Sequence, residues 1–152
     1  MTRKNARELS LHLLFELDFN TEDDIEAQIR SELSADRFNT LRKELDIYDA
    51  LPDEKQNEYI MALTTGIIAQ YIELNAYIEQ YSVGWKLNRI SRVCRCILRI
   101  AMYEMLYMDD ITSAVSINEA VELTKKYDSV EASGFVNGIL GSFERRDLDK
   151  KV

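Results

Sequence analysis

Residues 91–107, SRVCRCILRIAMYEMLY, carry the clearest folding signal in this chain of 152 residues. Their apolar side chains recur at spacings of three and four, which is the repeat of one face of an α-helix. Ser91 is a suitable N-cap, since its hydroxyl oxygen can accept a hydrogen bond from a backbone N–H of the first turn. The segment therefore predicts a helix ending near residue 107. The side chains expected to face the core are Val93, Ile97, Ile100, Ala101 and Met105.

Similar periodicity predicts helices along most of the chain. They cover residues 5–18 and 54–80, then a segment that begins between residues 112 and 117 and ends near 126, and a last helix after Asp128-Ser129. Residues 19–58 are less regular and allow short helices at 25–33 and 38–45. The start of the penultimate helix has two alternatives, a cap at Thr112 or a capping box of Ser116 and Glu119. Five glycines and one proline are too few for a β-sandwich, whose turns recur every ~8–12 residues. The sequence predicts an all-α protein of six or seven helices, in two small bundles joined near Gly84.

Charge is distributed unevenly along the chain, whose formal net charge is −8. Residues 16–54 hold thirteen acids and four bases, whereas residues 84–103 hold five bases and no acid. Arg3, Lys4 and Arg7 lie around the start of the first predicted helix, although cations are unfavourable at the positive end of a helix dipole. A bound anion would explain them, and chance at a frayed terminus is the alternative. The pattern excludes a general polyanion binder but allows one local anionic partner.

Residues of catalytic or metal-binding type are sparse. Cys94 and Cys96 lie two positions apart and His12 is far from both, which suits neither a zinc site nor a disulfide. We predict reduced, partly buried thiols. No phosphate loop, dinucleotide fingerprint or paired carboxylate is present, so we expect no enzyme activity, no metal and no cofactor.

No run reaches the ~18 apolar residues of a membrane span, and the charged N-terminus lacks a signal-peptide core. These features predict a soluble cytoplasmic protein without a membrane role.

Gly134 and Gly138 are four positions apart within the last predicted helix. Glycine inside a helix costs about 1 kcal/mol relative to alanine. The pair therefore suggests that another element or a ligand approaches this helix closely.

Three strings in the second half of the chain form a specific pattern. Ile97–Glu104 reads ILRIAMYE, Ser116–Leu123 reads SINEAVEL, and Phe135–Leu140 reads FVNGIL. Upstream, Ala6–Leu9 reads AREL and is followed by Leu13-Leu14-Phe15. In this order the strings closely resemble the NusB family of bacterial transcription antitermination factors. The resemblance covers most of the chain and is weakest over about residues 19–58.

The resemblance implies a single NusB-type domain over residues 1–152, built as two perpendicular three-helix sub-bundles of about 1–83 and 84–145. It implies binding to the boxA sequence of nascent ribosomal RNA together with the ribosomal protein NusE. The pair would join other Nus factors on RNA polymerase and suppress termination.

The family's RNA contacts carry over onto matching positions. Arg3, Lys4 and Arg7 match its arginine-rich N-terminal motif, and Arg99 matches the arginine of ILRxAxYE. Glu131, Phe135 and Asn137 match its RNA-contact region on the last helix. The alternative for Phe135 is core packing.

This chain also departs from the family pattern. Cys94 stands where an Asp is usual, and Asp128 stands where a Gly is common. A rival hypothesis, motivated by the net charge of −8, is a protein-only helical interaction module. Its acidic residues 16–54 would recognise a basic protein surface, or a homodimer would bury the basic first helix.

Overall fold

The helices of the protein are described here from a computed structural model covering residues 1–17, 52–82, 84 and 90–148. This part of the chain contains helices and connecting turns but no strand, so the predicted all-α class is confirmed. The helices are α1 (Arg3–Glu16), α2 (Glu54–Ala69), α3 (Tyr71–Tyr81), α4 (Arg92–Tyr107), α5 (Ser113–Tyr127), α6 (Val130–Phe143) and a π-helical turn at Glu144–Leu148. The helices predicted at 25–33 and 38–45 lie outside the described residues.

The predicted single helix over residues 54–80 is wrong, because α2 ends at Ala69 and α3 begins at Tyr71. Gln70 between them has φ −104° and ψ 23°, which departs from the α-helical geometry. The two halves of the apolar stripe pack against different partners, since α2 contacts α1 whereas α3 contacts α4 and α6. Helical periodicity continues across the break, and the sequence pattern therefore does not reveal it.

The chain divides into two compact units, Met1–Ala69 and Gln70–Val152. The sequence-based sub-bundle limits of 1–83 and 84–145 stay a prediction. In the first unit α1 packs against α2. Their apolar contact surfaces are fully or almost fully buried, and they consist of Ala6, Leu9, Leu13, Leu14, Ile60, Leu63 and Ile67.

The second unit is organised around α4, which packs against α3, α5, α6 and the terminal turn. Phe143 is fully buried at the end of α6. Its ring makes edge contacts with Tyr77 at 5.0 Å and Tyr81 at 6.1 Å between centroids. The Tyr81 hydroxyl donates a hydrogen bond to Asp147, which ties the terminal turn to α3.

Caps set the starts of the three helices that follow residue 90. The hydroxyl oxygens of Ser91, Thr112 and Ser129 accept hydrogen bonds from backbone N–H groups of the first turns of α4, α5 and α6. The earlier alternative for α5 is therefore correct, and Ser116 is a buried residue inside the helix. Cys94 and Cys96 form no disulfide, as predicted, and both are more completely buried than the predicted partial burial.

None of the described helices is long and apolar enough to cross a membrane.

Gly134 and Gly138 lie on α6, as predicted for the last helix. A Cβ atom added at Gly134 or Gly138 would meet nothing within 4 Å. No element of the described part of the chain therefore approaches these two glycines closely. Gly84 lies outside a helix and has φ +83°, a value that side-chain-bearing residues rarely adopt.

Alanine at Gly138 and at Gly84 should change stability in opposite directions. Gly138→Ala should raise the free energy of unfolding by about 0.5–1 kcal/mol, because alanine loses less entropy in a helix. Gly84→Ala should lower it by about 1–2 kcal/mol, because a Cβ disfavours the left-handed conformation. Urea unfolding monitored by circular dichroism measures both. Destabilisation by Gly138→Ala would show that this face of α6 is packed in solution.

Candidate nucleic-acid interface

A cleft of about 320 Å³ opens where α4 and α6 begin. Its walls are Ile90, Ser91, Cys94, Asp128, Ser129, Glu131, Ala132 and Phe135. Two of the predicted site residues, Glu131 and Phe135, therefore share this cleft. They are four positions apart on α6, a spacing that places side chains on the same helix face.

Asp128 connects the starts of the two helices. Its Oδ2 accepts a hydrogen bond from the Ser91 hydroxyl at 2.6 Å and another from the Cys94 thiol at 3.2 Å. Ser91 also accepts from the backbone N–H of Cys94 at 3.2 Å. The hydroxyl group that caps α4 thus also donates a hydrogen bond to the carboxylate that precedes α6. Ser91, Cys94 and Asp128 therefore form one hydrogen-bonded group in the cleft wall.

The protonation states in this unit follow from the hydrogen bonds and the burial. The hydrogen bond from Ser91, followed by that from Cys94, holds the pKa of Asp128 below its usual value. Burial raises the pKa of Cys94 to about 11. At neutral pH the cleft therefore contains an Asp128 carboxylate and a neutral Cys94 thiol that acts as a donor.

Phe135 is half-buried, whereas the neighbouring Val136 and Ile139 are almost completely buried. The core face of α6 is thus formed by the latter residues, and Phe135 lies at its edge with part of its ring on the cleft. Both alternatives for Phe135, RNA contact and core packing, stay predictions.

Asn137 lies in a different place from Glu131 and Phe135. It borders a groove of about 520 Å³ between α5 and α6. The groove is lined by Ala114, Ile117, Asn118, Val121, Lys125, Ser133, Gly134, Asn137 and Glu144. The last-helix residues assigned to RNA contact from the sequence therefore divide between two openings in the second unit.

The three cations of α1 differ in exposure. Lys4 is exposed, Arg3 is half-buried and Arg7 is only 3% exposed. The Arg3 guanidinium lies over the ring of Tyr59 at 4.2 Å, and its Nε donates to Gln56 at 3.0 Å. Arg7 approaches the same ring at 6.0 Å. Contacts with α2 thus hold two of the three predicted cations at the start of α1.

Arg99 is buried, with 4% of its surface exposed. Its Nε donates to Asn75 Oδ1 at 2.8 Å and its Nη2 to the Tyr71 hydroxyl at 3.3 Å, and the guanidinium lies 4.5 Å from the Tyr71 ring centroid. Burial lowers the pKa of the guanidinium. Arg99 thus joins α4 to α3, and its assignment to RNA stays a prediction.

Sequence reasoning missed Asp128 and Ser91 as parts of the site. An Asp-Ser pair before a helix and a Ser before another helix are ordinary capping signals. These signals identify helix starts, but they do not show that two starts lie side by side. The spatial pairing of residues 91 and 128 required the tertiary structure.

The described part of the chain is thus a helical protein whose candidate site residues include two surface openings of the second unit and cations at the start of α1. Comparison with known proteins then assigns the family. The family model described as "NusB family" matches residues 4–145, and the chain belongs to the NusB family of transcription antitermination proteins.

Two relatives and one solved structure support this assignment. The transcription antitermination protein NusB of Alkaliphilus oremlandii is 41% identical over 147 residues, which cover 97% of this chain and 96% of the relative. That of Acetivibrio thermocellus is 42% identical, covering 93% of this chain and 87% of the relative. The T. maritima NusB structure superposes with a TM-score of 0.79 at 32% identity, covering 99% of this chain and 96% of that chain. The fold prediction and the resemblance are confirmed.

Asp128→Asn should destabilise the protein at pH 7, because an amide oxygen accepts weaker hydrogen bonds from Ser91 and Cys94 than a carboxylate does. The pKa of Asp128 is lowered from 3.8 in the folded state. The stabilisation is therefore complete above this value and is lost as the pH falls through the folded pKa.

Urea unfolding of the parent protein and of Asp128→Asn, measured from pH 7 to pH 3, tests this pH dependence. The stability difference should stay constant from pH 7 to about pH 5 and narrow in the acid range. Asp109→Asn, which removes an exposed carboxylate from the turn after α4, is the matched control. A difference that does not change with pH would contradict a role for the Asp128 charge.

Proposed function

We propose that this protein is an RNA-binding transcription antitermination factor that binds boxA in nascent ribosomal RNA together with the ribosomal protein NusE. The pair then joins other Nus factors on RNA polymerase and suppresses termination. The observation that carries this proposal is Phe135, an aromatic residue on the wall of an open cleft in a member of the NusB family.

Phe135 supports binding to unpaired RNA. Proteins that read single-stranded RNA stack its bases on aromatic side chains. A half-buried ring is suited to this role, because part of it is held by the fold while Phe135 also lines the wall of the cleft. Glu131 on the same wall offers a carboxylate to the edge of the base.

The start of α1 supports contact with the RNA backbone. Lys4 is exposed, and Arg3 is oriented by its contacts with Tyr59 and Gln56. Arg7 approaches the same ring, so positive charges are held close together. Such a group favours a phosphate locally, even in a protein with a net charge of −8.

A basic protein partner suits the overall charge. Residues 16–54 carry thirteen acids against four bases and would attract a basic ribosomal protein through electrostatic complementarity. In the proposed complex NusE supplies the basic surface, which offsets the repulsion between this acidic chain and RNA.

A protein-only interaction module, or a dimer with weak RNA binding, is the second candidate. It is favoured by the burial of two predicted RNA-binding cations, Arg7 and Arg99, which are only 3% and 4% exposed. Fluorescence anisotropy with labelled boxA RNA and a scrambled control, with and without NusE, separates the two functions. Selective binding that increases with NusE is the result expected for the antitermination factor, and its absence in folded protein favours the module.

Phe135→Ala should weaken boxA binding by roughly 1–3 kcal/mol, the usual contribution of base stacking on an aromatic residue. Phe135→Leu is the matched variant, because leucine keeps an apolar side chain but offers no aromatic face. Phe135→Leu should be more stable than Phe135→Ala but should bind boxA no more tightly. If the leucine variant binds boxA like the parent protein, Phe135 packs against the fold and does not stack on RNA.

Lys4→Ala should reduce the salt dependence of boxA binding. Loss of one phosphate contact makes the negative slope of log K against log salt concentration shallower by about 0.7 for a single strand. Lys55→Ala, at an exposed position in the first turn of α2, is the control and should leave the slope unchanged. Equal slopes for all three proteins would remove Lys4 from the proposed interface.

A further inference from the structure

We propose that the second unit carries an arginine-binding surface where α3 meets the end of α4, and that this surface docks a segment of a basic protein in which an arginine lies next to an apolar residue. The surface, called here the tyrosine surface, consists of Ile72, Glu73, Tyr77, Tyr103 and Tyr107. These residues lie outside the two openings of the candidate site, and the inference therefore goes beyond the proposed function.

Tyr107 connects the two helices of the tyrosine surface. Its hydroxyl donates a hydrogen bond to Glu73 Oε1 at 2.8 Å, and its ring lies 5.0 Å from the ring of Tyr103 between centroids. The hydrogen bond to Glu73 raises the pKa of Tyr107 to about 12, so the hydroxyl remains a donor at neutral pH. Burial, followed by the charge of Glu73, raises the pKa of Tyr77. Two tyrosines thus lie close to one carboxylate.

The carboxylate of Glu73 is held in position but retains acceptor capacity. The described residues give its side chain one hydrogen bond, on Oε1, whereas a carboxylate has about four acceptor positions. Glu73 is half-buried, so part of the side chain is open to solvent. A guanidinium group can therefore donate to Glu73 without breaking the contact with Tyr107.

The same two helices already contain one arginine–tyrosine contact, in which Arg99 lies 4.5 Å from the Tyr71 ring centroid. Among the described residues, no lysine or arginine lies over the rings of Tyr103 and Tyr107 or pairs with Glu73. Arginine stacks on aromatic faces and pairs with carboxylates. The tyrosine surface thus has both groups that bind a guanidinium, whereas the described residues supply no cation to it.

The two chain segments that form the tyrosine surface are acidic. Residues 56–85 and 100–124 contain no lysine or arginine, and Asp109 and Asp110 are exposed just after α4. The last turn of α4 has no basic residue, although the partial negative charge of a helix C-terminus favours a cation there. These charges repel the phosphates of RNA and attract a basic protein. A second copy of this chain is less suited, because both copies carry a net charge of −8.

Ile72 and Tyr107 add an apolar contact to the charged one. Ile72 is 86% exposed and Tyr107 is 44% exposed, and Ala76, one turn after Ile72 on α3, is exposed as well. Protein interfaces are enriched in tyrosine and arginine and contain an apolar centre. The occupant that matches is therefore a protein segment with an arginine for Glu73 and the rings, and an apolar neighbour for Ile72.

The experiment compares two short peptides that differ by a single charge. One is the acetylated and amidated sequence Gly-Leu-Arg-Leu-Gly, and in the other citrulline replaces arginine, so that a neutral urea group takes the place of the guanidinium. Each is titrated into the isotopically labelled full-length protein, and the backbone amide NMR signals are followed. The arginine peptide should shift the signals of α3 and of the end of α4. It should bind about fivefold or more tightly than the citrulline peptide, as expected for a cation–π contact combined with a charged hydrogen bond.

Protein variants test whether the tyrosine surface causes this preference. Glu73→Gln removes the charge but keeps the size of the side chain, and it should reduce the preference to about twofold or less, because contacting groups are coupled in a double-mutant cycle. Tyr107→Leu removes the ring face and should reduce the preference as well. Glu79→Gln is the matched control, since Glu79 is an exposed acid on the same helix outside the tyrosine surface, and it should leave the preference unchanged. Circular dichroism establishes that each variant is folded.

The outcomes are distinct. A preference for arginine that is lost in Glu73→Gln and kept in Glu79→Gln supports the inference. Equal binding of the two peptides, no binding at these helices, or a preference that survives Glu73→Gln overturns it. If the same signals shift with protein concentration in the absence of peptide, a second copy is the occupant and the inference is overturned. The measurement requires neither boxA nor NusE, so its failure is separate from a failure of the proposed function.

Discussion

Burial of α4 is the constraint on which the second unit depends. Nine of its sixteen residues are buried, and they lie against α3, α5, α6 and the terminal turn. Removing such apolar surface from water is the main favourable contribution to folding. Ser91, which caps this helix, and Cys94 in its first turn line the cleft. The helix that forms the centre of the core thus also supplies part of the candidate site.

Arg99 shows how this burial accommodates a charge. In the described part of the chain, its hydrogen-bond partners Asn75 and Tyr71 are neutral, and the Tyr71 ring lies against the guanidinium. A buried charge without compensating contacts is costly, and the amide, hydroxyl and ring face of α3 provide such contacts. The arginine of the ILRIAMYE string therefore has a structural role, because it needs polar and aromatic partners on α3. This role is separate from the RNA contact that the resemblance implies.

The cleft derives its chemical character from residues that also begin helices. Ser91 caps α4 and donates to Asp128, and Ser129 caps α6 immediately after it. Cys94 supplies a second donor to the same carboxylate. The negative charge of this unit thus comes from the segment before α6 and contacts the start of α4.

The sequence by itself determined the all-α class, the helix over 91–107, the caps at Ser91 and Ser129, and the family. Each of these follows from local periodicity, from capping chemistry or from strings of adjacent residues. Only the tertiary structure decided the break at Gln70, where helical periodicity continues without interruption. It also decided that Arg99 faces α3, that Phe135 and Asn137 border different openings, and that Asp128 reaches Ser91. These features depend on contacts between residues far apart in the chain, and local patterns contain no information about which helix ends will meet.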